Sequence, residues 1–549
     1  MKKGKILMAS LLAMSMVLTA CSGSSGETSP AGTTVAAGTT AAGSETAGGE
    51  TTEAASGEIT SSKDTLVFAM NSDPGTMNPW SGPMGPQLVL SCQSLEALTT
   101  YDENGELIPW LAESWEFDDD NKGCIFHLRK DVTFSNGNPF NADAVIFTMK
   151  TASAESASAK GYLANVDVEK VEKVDDYTVH IPTLIEFGTL PYTMSNIFIV
   201  DPAVYAEEAA RGEGITGTGP FVATNWQAGV SVGFTANETY WRGAPYIKNM
   251  EFRIITESSV RMVELENGAV DVNKSAATED INRVVNGEVE NISTWKADVS
   301  QAIYYFGINV SSEKMKDIKV RQAIMNSIDS ETLALIAFDV SGSTSTSILP
   351  SNMWYSATLE GDNAYKYDPE GAKALLAEAG YPDGITVKLV CDSNAFRRAM
   401  AEAMPAMMEK AGITLEVEFM ESAAFNTWRL ETKGDDFDVF LGNMGQLNEP
   451  SSAMNTFLSK VNNPQGGGNG MFRYAGTEMS DKIDQLINAA FAEADESARV
   501  QIYVDLQNEI ASQYIAKGIA DMFDLNLVAS NLKGMVFRPN VDFSKAYFE

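Results

Sequence analysis

Histidine and cysteine are scarce in this chain of 549 residues, which holds two of the first and four of the second. The two histidines, His127 and His180, stand far apart and away from any clustered cysteines, so the sequence spells out no zinc-type ligand set. Cys21 closes an N-terminal apolar stretch. The other three, Cys92, Cys124 and Cys391, are odd in number, which excludes a disulfide framework and leaves at least one free thiol. Buried structural thiols are expected for all three. Basic residues are also few, 39 against 74 acidic, or 36 against 74 once Lys2, Lys3 and Lys5 are set aside. Such a surface repels nucleic acid and anionic lipid, which excludes both as partners held by charge.

Lys2, Lys3 and Lys5 precede an apolar stretch from Ile6 to Leu18, the layout of a secretory signal and too short for a comfortable bilayer span. Leu18-Thr19-Ala20-Cys21 resembles a bacterial lipobox. That resemblance implies a signal peptide over residues 1–20 and a diacylglycerol on Cys21, an anchor that holds because two acyl chains hold where one is marginal. From Ser22 to Ser62 the chain is Ala, Gly, Ser, Thr and Glu except for Pro30, Val35 and Ile59, which cannot repay its ordering entropy. Residues 21–62 therefore read as a lipid-anchored linker. As a flexible coil the linker reaches roughly 35 Å on average, and about 140 Å when fully stretched.

The rest of the chain exceeds what one hydrophobic core supports, so two or three lobes are expected. In "CIFHLRKDVTFSNGNPFNADAVIFTMK" Cys124, Phe126 and Leu128 share one strand face, Asn136-Gly137 turns the chain, and Asn141 is placed to cap a helix from Ala142 towards Met149. Asp118-Asp119-Asp120 lacks the spaced ligands of a calcium loop and reads as a hairpin turn. Val320, Ala323, Ile324, Ser327 and Ile328 recur at helical spacing, with Asp329 or Ser330 restarting a second helix. "ITVKLVCDS" and "ITLEVEFME" read as strands flanking a helix from about Ala395 to Ala411, the rhythm of an α/β lobe. Two late helices follow, one lined by Ile483, Leu486, Ile487, Ala490 and Phe491, the other by Tyr503, Leu506, Ile510 and Tyr514.

Gly229-Val230-Ser231-Val232-Gly233 spells the nucleophile-elbow pattern of a hydrolase. The elbow needs a strand before the serine and a helix after it, whereas "VSVGFTANETYW" continues as an alternating strand and then a turn. Both histidines sit in strand-like stretches, where packing roles are commoner. No enzymatic activity is expected, and no cofactor.

Several stretches together resemble one family, the large extracytoplasmic solute-binding proteins of peptide-type ATP-binding-cassette importers. The carrying residues are "YDENGELIPWLAESWEFDDDNKGCIFHLRKDVTFSNGNPFNADAVIF", "GTGPFVATNWQAG", "NETYWRGAPYIKNMEFRII", "LENGAVDV", "KDIKVRQAIMNSIDSETL" and "LNEPSSAMNTFLS". The resemblance implies an α/β, periplasmic-binding-protein-like clamp of two lobes with an extra inserted domain and a hinged cleft. It places domain I at 64–97, 216–305 and 523–549, domain II at 98–215 and domain III at 306–522. It implies a monomer that captures a peptide or oligosaccharide ligand between lobes and delivers it to permease subunits driven by cytoplasmic ATPases. A sensor that presents its ligand to a membrane receptor would share the fold.

In the family's peptide binders an aspartate a few residues before an "NEP" or "DP" element takes the ligand's α-amino group. Aligning on Asn448-Glu449-Pro450 puts Gln446 there, with Asn443 or Met444 where a tryptophan is usual. An amide accepts a hydrogen bond from an ammonium but loses the charge pairing, so weaker affinity for free peptide N-termini is expected. The resemblance also points to Trp80, Phe425, Trp354 and Tyr355 as cleft aromatics. The segments "FDVSGSTSTSILP" and "NNPQGGGNGMF" read as cleft-side loops.

Overall fold

The computed structural model describes residues 59–549, except 78, 81–83, 212–214, 362–363, 432–435, 446–447, 460–470 and 538–540. Among these, no helix is long and apolar enough to cross a membrane. The signal, Cys21 and nearly all of the linker lie outside the described residues, as do Gln446 and most of the glycine-rich segment.

One eleven-stranded mixed sheet organises the fold. Its order is Ile413–Met420, Ile385–Asp392, Val439–Gly445, Ile292–Ile308, Ala516–Ala529, Val272–Asn273, Thr65–Met70, Asn249–Ile254, Ser231–Ala236 and Phe221–Gln227, with Gly342–Thr344 pairing to Ala516–Ala529 off this path. The central strands Thr65–Met70 and Ala516–Ala529 are buried along most of their length, whereas the outer strands Ile413–Met420 and Phe221–Gln227 keep exposed polar positions. Ile385–Asp392 and Ile413–Met420 pair in parallel across the Ala395–Met408 helix, the βαβ unit that the spacing predicts.

The two long central strands carry the chain from one lobe to the other. Their antiparallel ladder slips between Lys296 and Ser300, between Ser300 and Ala302, and again at Tyr304/Tyr305. Each slip removes a regular pair of backbone hydrogen bonds and lets the strand bend. Ser300 Oγ restores part of the loss by donating to the carbonyls of Ala302 (3.1 Å) and Met522 (3.3 Å). Phe523 pairs with Ser300 and Met522 with Ala302, so the irregular stretch spans both strands at one level, which is the geometry of a hinge.

A second sheet, ordered Ala112–Phe117, Gly123–Leu128, Thr178–Pro182 and Glu172–Asp175, lies within the segment expected as the inserted domain. Cys124, Phe126 and Leu128 point into its core and Asn141 Oδ1 accepts from Ala144 N at 3.2 Å, capping Ala142–Glu155. The aspartate run turns the first hairpin, with Asn121 N donating to Asp118 O at 2.9 Å. Asp329 caps Ser330–Phe338 through Thr332 N at 3.2 Å. Two expectations need correction. Gly342–Thr344, read as part of a loop, is a short strand, because the Ala516–Ala529 edge offers it backbone partners. Cys124 and Cys391 are buried but Cys92 is partly exposed.

The insert is fastened by Glu96, a carboxylate only 5% exposed. Trp110 Nε1 and Tyr240 Oη donate to its Oε1 at 2.8 Å each, and Thr218 Oγ1 (2.7 Å) and Trp241 Nε1 (2.9 Å) donate to its Oε2. Burial pushes this carboxyl above its usual range, while the four donors pull it back. The stretches "IPWLAESW", "GTGPF" and "NETYWRG" therefore meet at one buried carboxyl group, and their part in the molecule is architectural.

Candidate functional site

Asn443 lies on the Val439–Gly445 strand in register with Tyr304, beside the hinge strands. Its side-chain oxygen accepts from Arg397 Nη1. Arg397 stands in the first turn of the Ala395–Met408 helix, which Asn394 caps by accepting from the amides of Phe396 (3.1 Å) and Arg397 (3.3 Å). The cap aims the guanidinium back at Asp392, the last residue of its strand, and the two meet in a bidentate pair with both contacts at 2.6 Å. Burial pushes the Asp392 carboxyl up, but the Arg397 hydrogen bonds and charge outweigh it and hold the group below the usual carboxylate range. Ser422 Oγ adds a 3.4 Å bond to the same carboxylate.

Two further arginines stand near this pair. Arg429, on the Ser422–Glu431 helix, is pulled below its ordinary pKa by burial and then by the charge of Arg397. Arg473 is buried, sits in the left-handed backbone region at φ 51°, and donates to the Arg429 carbonyl at 3.4 Å. Tyr305 lies in the field of Arg397 and Arg429, its ring stacked on Phe472 with centroids 6.0 Å apart. Asp436 acts on Arg473 as Asp392 does on Arg397, so two carboxylates face the three partly dehydrated guanidinium groups.

On the other side of Gln446, the Asn448-Glu449-Pro450 element is locked in place. Glu449 is buried and accepts from Ser451 N at 3.1 Å, from Ser451 Oγ at 2.5 Å and from the Tyr503 hydroxyl. Trp354 Nε1 donates to Asn448 O at 3.2 Å. Asn443 is held by Arg397 and Asn448 by Trp354, and Gln446 lies outside the described residues.

The remaining candidates fall in several places. Met444 is buried, facing Ile303. Phe425 is 9% exposed and packs on Trp428, with centroids 5.9 Å apart. Tyr355 is fully buried against Tyr503, while Trp354 is half-buried and stacked on Tyr192 at 6.2 Å. Trp80 is only 6% exposed and packs on Tyr205 at 5.1 Å, where it lines a small cavity with Gln87, Tyr162 and Phe198. The structure thus puts Met444 and Phe425 in one buried cluster with Tyr305, sets Asn443 beside Tyr304 on the opposite face of its strand, and leaves Trp80 against Tyr205. Asp392, Arg397, Arg429 and Arg473 escaped the sequence reading. The signal was there in "CDSNAFRR", a strand-ending aspartate followed by a capping asparagine and an arginine in the first helical turn.

Ser231 begins a strand in a hairpin with Phe221–Gln227, and both histidines belong to the other sheet, so no elbow and no triad assemble among the described residues. His180 Nε2 lies 2.9 Å from Asp118 Oδ2, a contact that packs the hairpin. Among the described residues, no group of three or more His, Cys, Asp or Glu side chains is arranged to hold a metal ion.

Comparison with known proteins gives concordant results. The pattern of the family described as bacterial extracellular solute-binding proteins, family 5 Middle, matches residues 106–465. The dipeptide-binding protein of Escherichia coli is 27% identical over 518 residues, covering 88% of this chain and 94% of that protein. Heme-binding protein A of Haemophilus influenzae is 26% identical, covering 89% and 92%. The solved structure of HbpA2 from Haemophilus parasuis superposes with a TM-score of 0.77 at 24% identity, over 88% of this chain and 100% of that one.

Proposed function

The chain belongs to the bacterial extracellular solute-binding proteins of family 5, a binding protein and not an enzyme, and from that membership we propose that it is the receptor of an ATP-binding-cassette importer. It captures a peptide-like solute bearing a free carboxylate between its lobes and hands it to membrane permease subunits. Ligand contact with both lobes stabilises the closed form about the irregular central strands.

The observation that carries the ligand class is the set of guanidinium groups Arg397, Arg429 and Arg473, three positive charges faced by two carboxylates, Asp392 and Asp436. A carboxylate entering beside Asn443 would meet Arg429 and compete with Asp392 for Arg397. Gln446 accepts the other end of the ligand, with Asn443 and Phe425 shaping the wall between them and Met444 packed behind it. Trp354 and Tyr355 support the loop rather than offering platforms, since their faces are taken up by Tyr192 and Tyr503. Trp80 likewise gives a face to Tyr205. These occupied rings weigh against an oligosaccharide, which needs open aromatic faces. The Cys21 anchor holds the receptor at the outer face of the cell membrane.

The test is a thermal-shift screen of the full chain against peptide pools with free ends, N-acetylated pools, C-amidated pools, neutral oligosaccharides and metal chelates. A ligand at 100 times its dissociation constant adds about 2.7 kcal/mol. Free-carboxylate peptides raise the melting midpoint, C-amidation removes the shift, Arg397→Met abolishes it, and Gln446→Asp strengthens the preference for free over N-acetylated peptides. A shift confined to oligosaccharides overturns the peptide reading and leaves the receptor role standing.

A further inference from the structure

The chain passes between the lobes at the two long central strands, yet a second contact between lobes exists far from them in sequence. The inserted domain is tied to the first lobe. Trp110 of the insert donates to Glu96 Oε1 at 2.8 Å, Ile199 N donates to Glu96 O at 2.8 Å, and Ser135 N donates to Gly217 O at 2.9 Å. The Glu478–Ala492 and Glu496–Ser512 helices belong to the chain segment of the other lobe.

These two bodies touch closely. The ring of Phe187 lies 5.8 Å from that of Phe491. The backbone at Gly188 approaches so near that a Cβ there would lie 2.2 Å from the Glu493 carbonyl oxygen. Tyr192 donates its hydroxyl proton to Glu496 Oε2 at 2.7 Å. Arg499, 1% exposed, donates to the carbonyls of Glu493 (2.8 Å) and Gly188 (3.5 Å). Its guanidinium lies 4.7 Å from the centre of the Tyr192 ring and 5.6 Å from that of Trp354. Tyr192 stacks on Trp354 at 30°, completing the enclosure.

We infer that this contact is a latch that closes the two lobes on each other without help from a ligand and so sets how tightly the cleft binds. It rests on the hinged, two-lobed reading given above. All its parts belong to the protein, and the cleft residues Asn443, Met444 and Phe425 take no part in it. Opening about the central strands separates Gly188 from Glu493, breaks the Tyr192–Glu496 hydrogen bond and wets Arg499. Because apparent affinity scales with the fraction of molecules already competent to bind, each latch contact acts on every ligand alike. Losing a hydrogen bond to a carboxylate shifts such an equilibrium by about tenfold.

The experiment compares ligand-free full-length protein by small-angle scattering and near-ultraviolet circular dichroism. Gly188→Val places side-chain atoms against a backbone carbonyl and wedges the latch apart; Tyr192→Phe removes one hydrogen bond; Glu207→Gln, on an exposed face of the inserted domain, is the control. The latch requires a larger radius of gyration in Gly188→Val, an intermediate one in Tyr192→Phe and the parent value in Glu207→Gln, all with parental dichroism. Parental scattering from a folded Gly188→Val overturns it. Should that variant not fold, parental scattering from Tyr192→Phe overturns it as well. Because no ligand is added, these outcomes stand apart from the peptide screen. A receptor that binds peptides with unchanged scattering has lost only its latch, and a scattering change with no peptide binding leaves the latch and removes the peptide.

Discussion

Asp521 sits on the Ala516–Ala529 strand one residue from the hinge irregularity, fully buried, and accepts the backbone amide of Ser351 at 3.0 Å. It thereby pins the loop that carries Trp354 and Tyr355. Burial pushes its carboxyl up to about 6, only partly countered by hydrogen bonds from Ser351 and Ser345. The unfolded chain releases this proton near the ordinary aspartate value of 3.8. Between these two values the native state binds more protons than the unfolded one, so the contribution of Asp521 to stability is fully present below the lower value and is lost as pH rises through the upper. From pH 4 to pH 7 the loss amounts to about 2–3 kcal/mol. Asp521→Asn keeps the shape and the acceptor for Ser351 but cannot titrate. Its stability relative to the parent therefore improves by that amount across the same window, whatever the offset at pH 4. For a folded unit of about 490 residues, with an unfolding entropy near 2.1 cal/mol/K per residue, the gap in melting midpoint changes by about 2–3 °C. Scanning fluorimetry of both proteins at half-unit steps of pH measures it. Parallel curves from pH 4 to 7 would refute the reasoning, because they would mean that the carboxylate is hydrated in the folded protein.

Lys517, four residues earlier on the strand, has the opposite sign. It is 3% exposed, donates to the carbonyls of Met325 (3.0 Å) and Ile328 (2.7 Å), and burial lowers its pKa to about 7. Above pH 7 the unfolded chain binds more protons, so parent stability rises against Lys517→Met by about 2 kcal/mol between pH 7 and 9, checked by urea unfolding at both pH values. Glu96→Gln replaces an acceptor of four hydrogen bonds with an amide that accepts at one oxygen only. It leaves two buried donors facing an NH2 group, so a loss of about 2–4 kcal/mol is expected at pH 7, and a midpoint equal to the parent's would show that the network is hydrated. Cys21→Ala releases the protein from membranes into the medium with ligand affinity unchanged, as fractionation will show; continued tight membrane association would mean that the anchor is misassigned.

Much of the fold was legible because it depends on near neighbours in sequence. Alternation placed Cys124, Phe126 and Leu128 on one strand face, and helical spacing with a capping Asn141 or Asp329 located helices and their first residues. The candidate site was legible only in part. Asn443 and Phe425 were put forward through the family pattern, whereas Arg397 was not singled out, its approach to Asp392 depending on the cap at Asn394.

By itself the sequence determined the helix and strand rhythm and the family. Tertiary structure alone decided which polar groups share a partner. Thr218 and Trp241 reach Glu96 across 122 and 145 residues, and Tyr192 reaches Glu496 across 304. It also turned Trp80 from a cleft aromatic into a buried contact with Tyr205. Periodicity records which face of an element is apolar, but the choice among distant partners follows from how whole elements pack, and no local pattern in the chain carries that information.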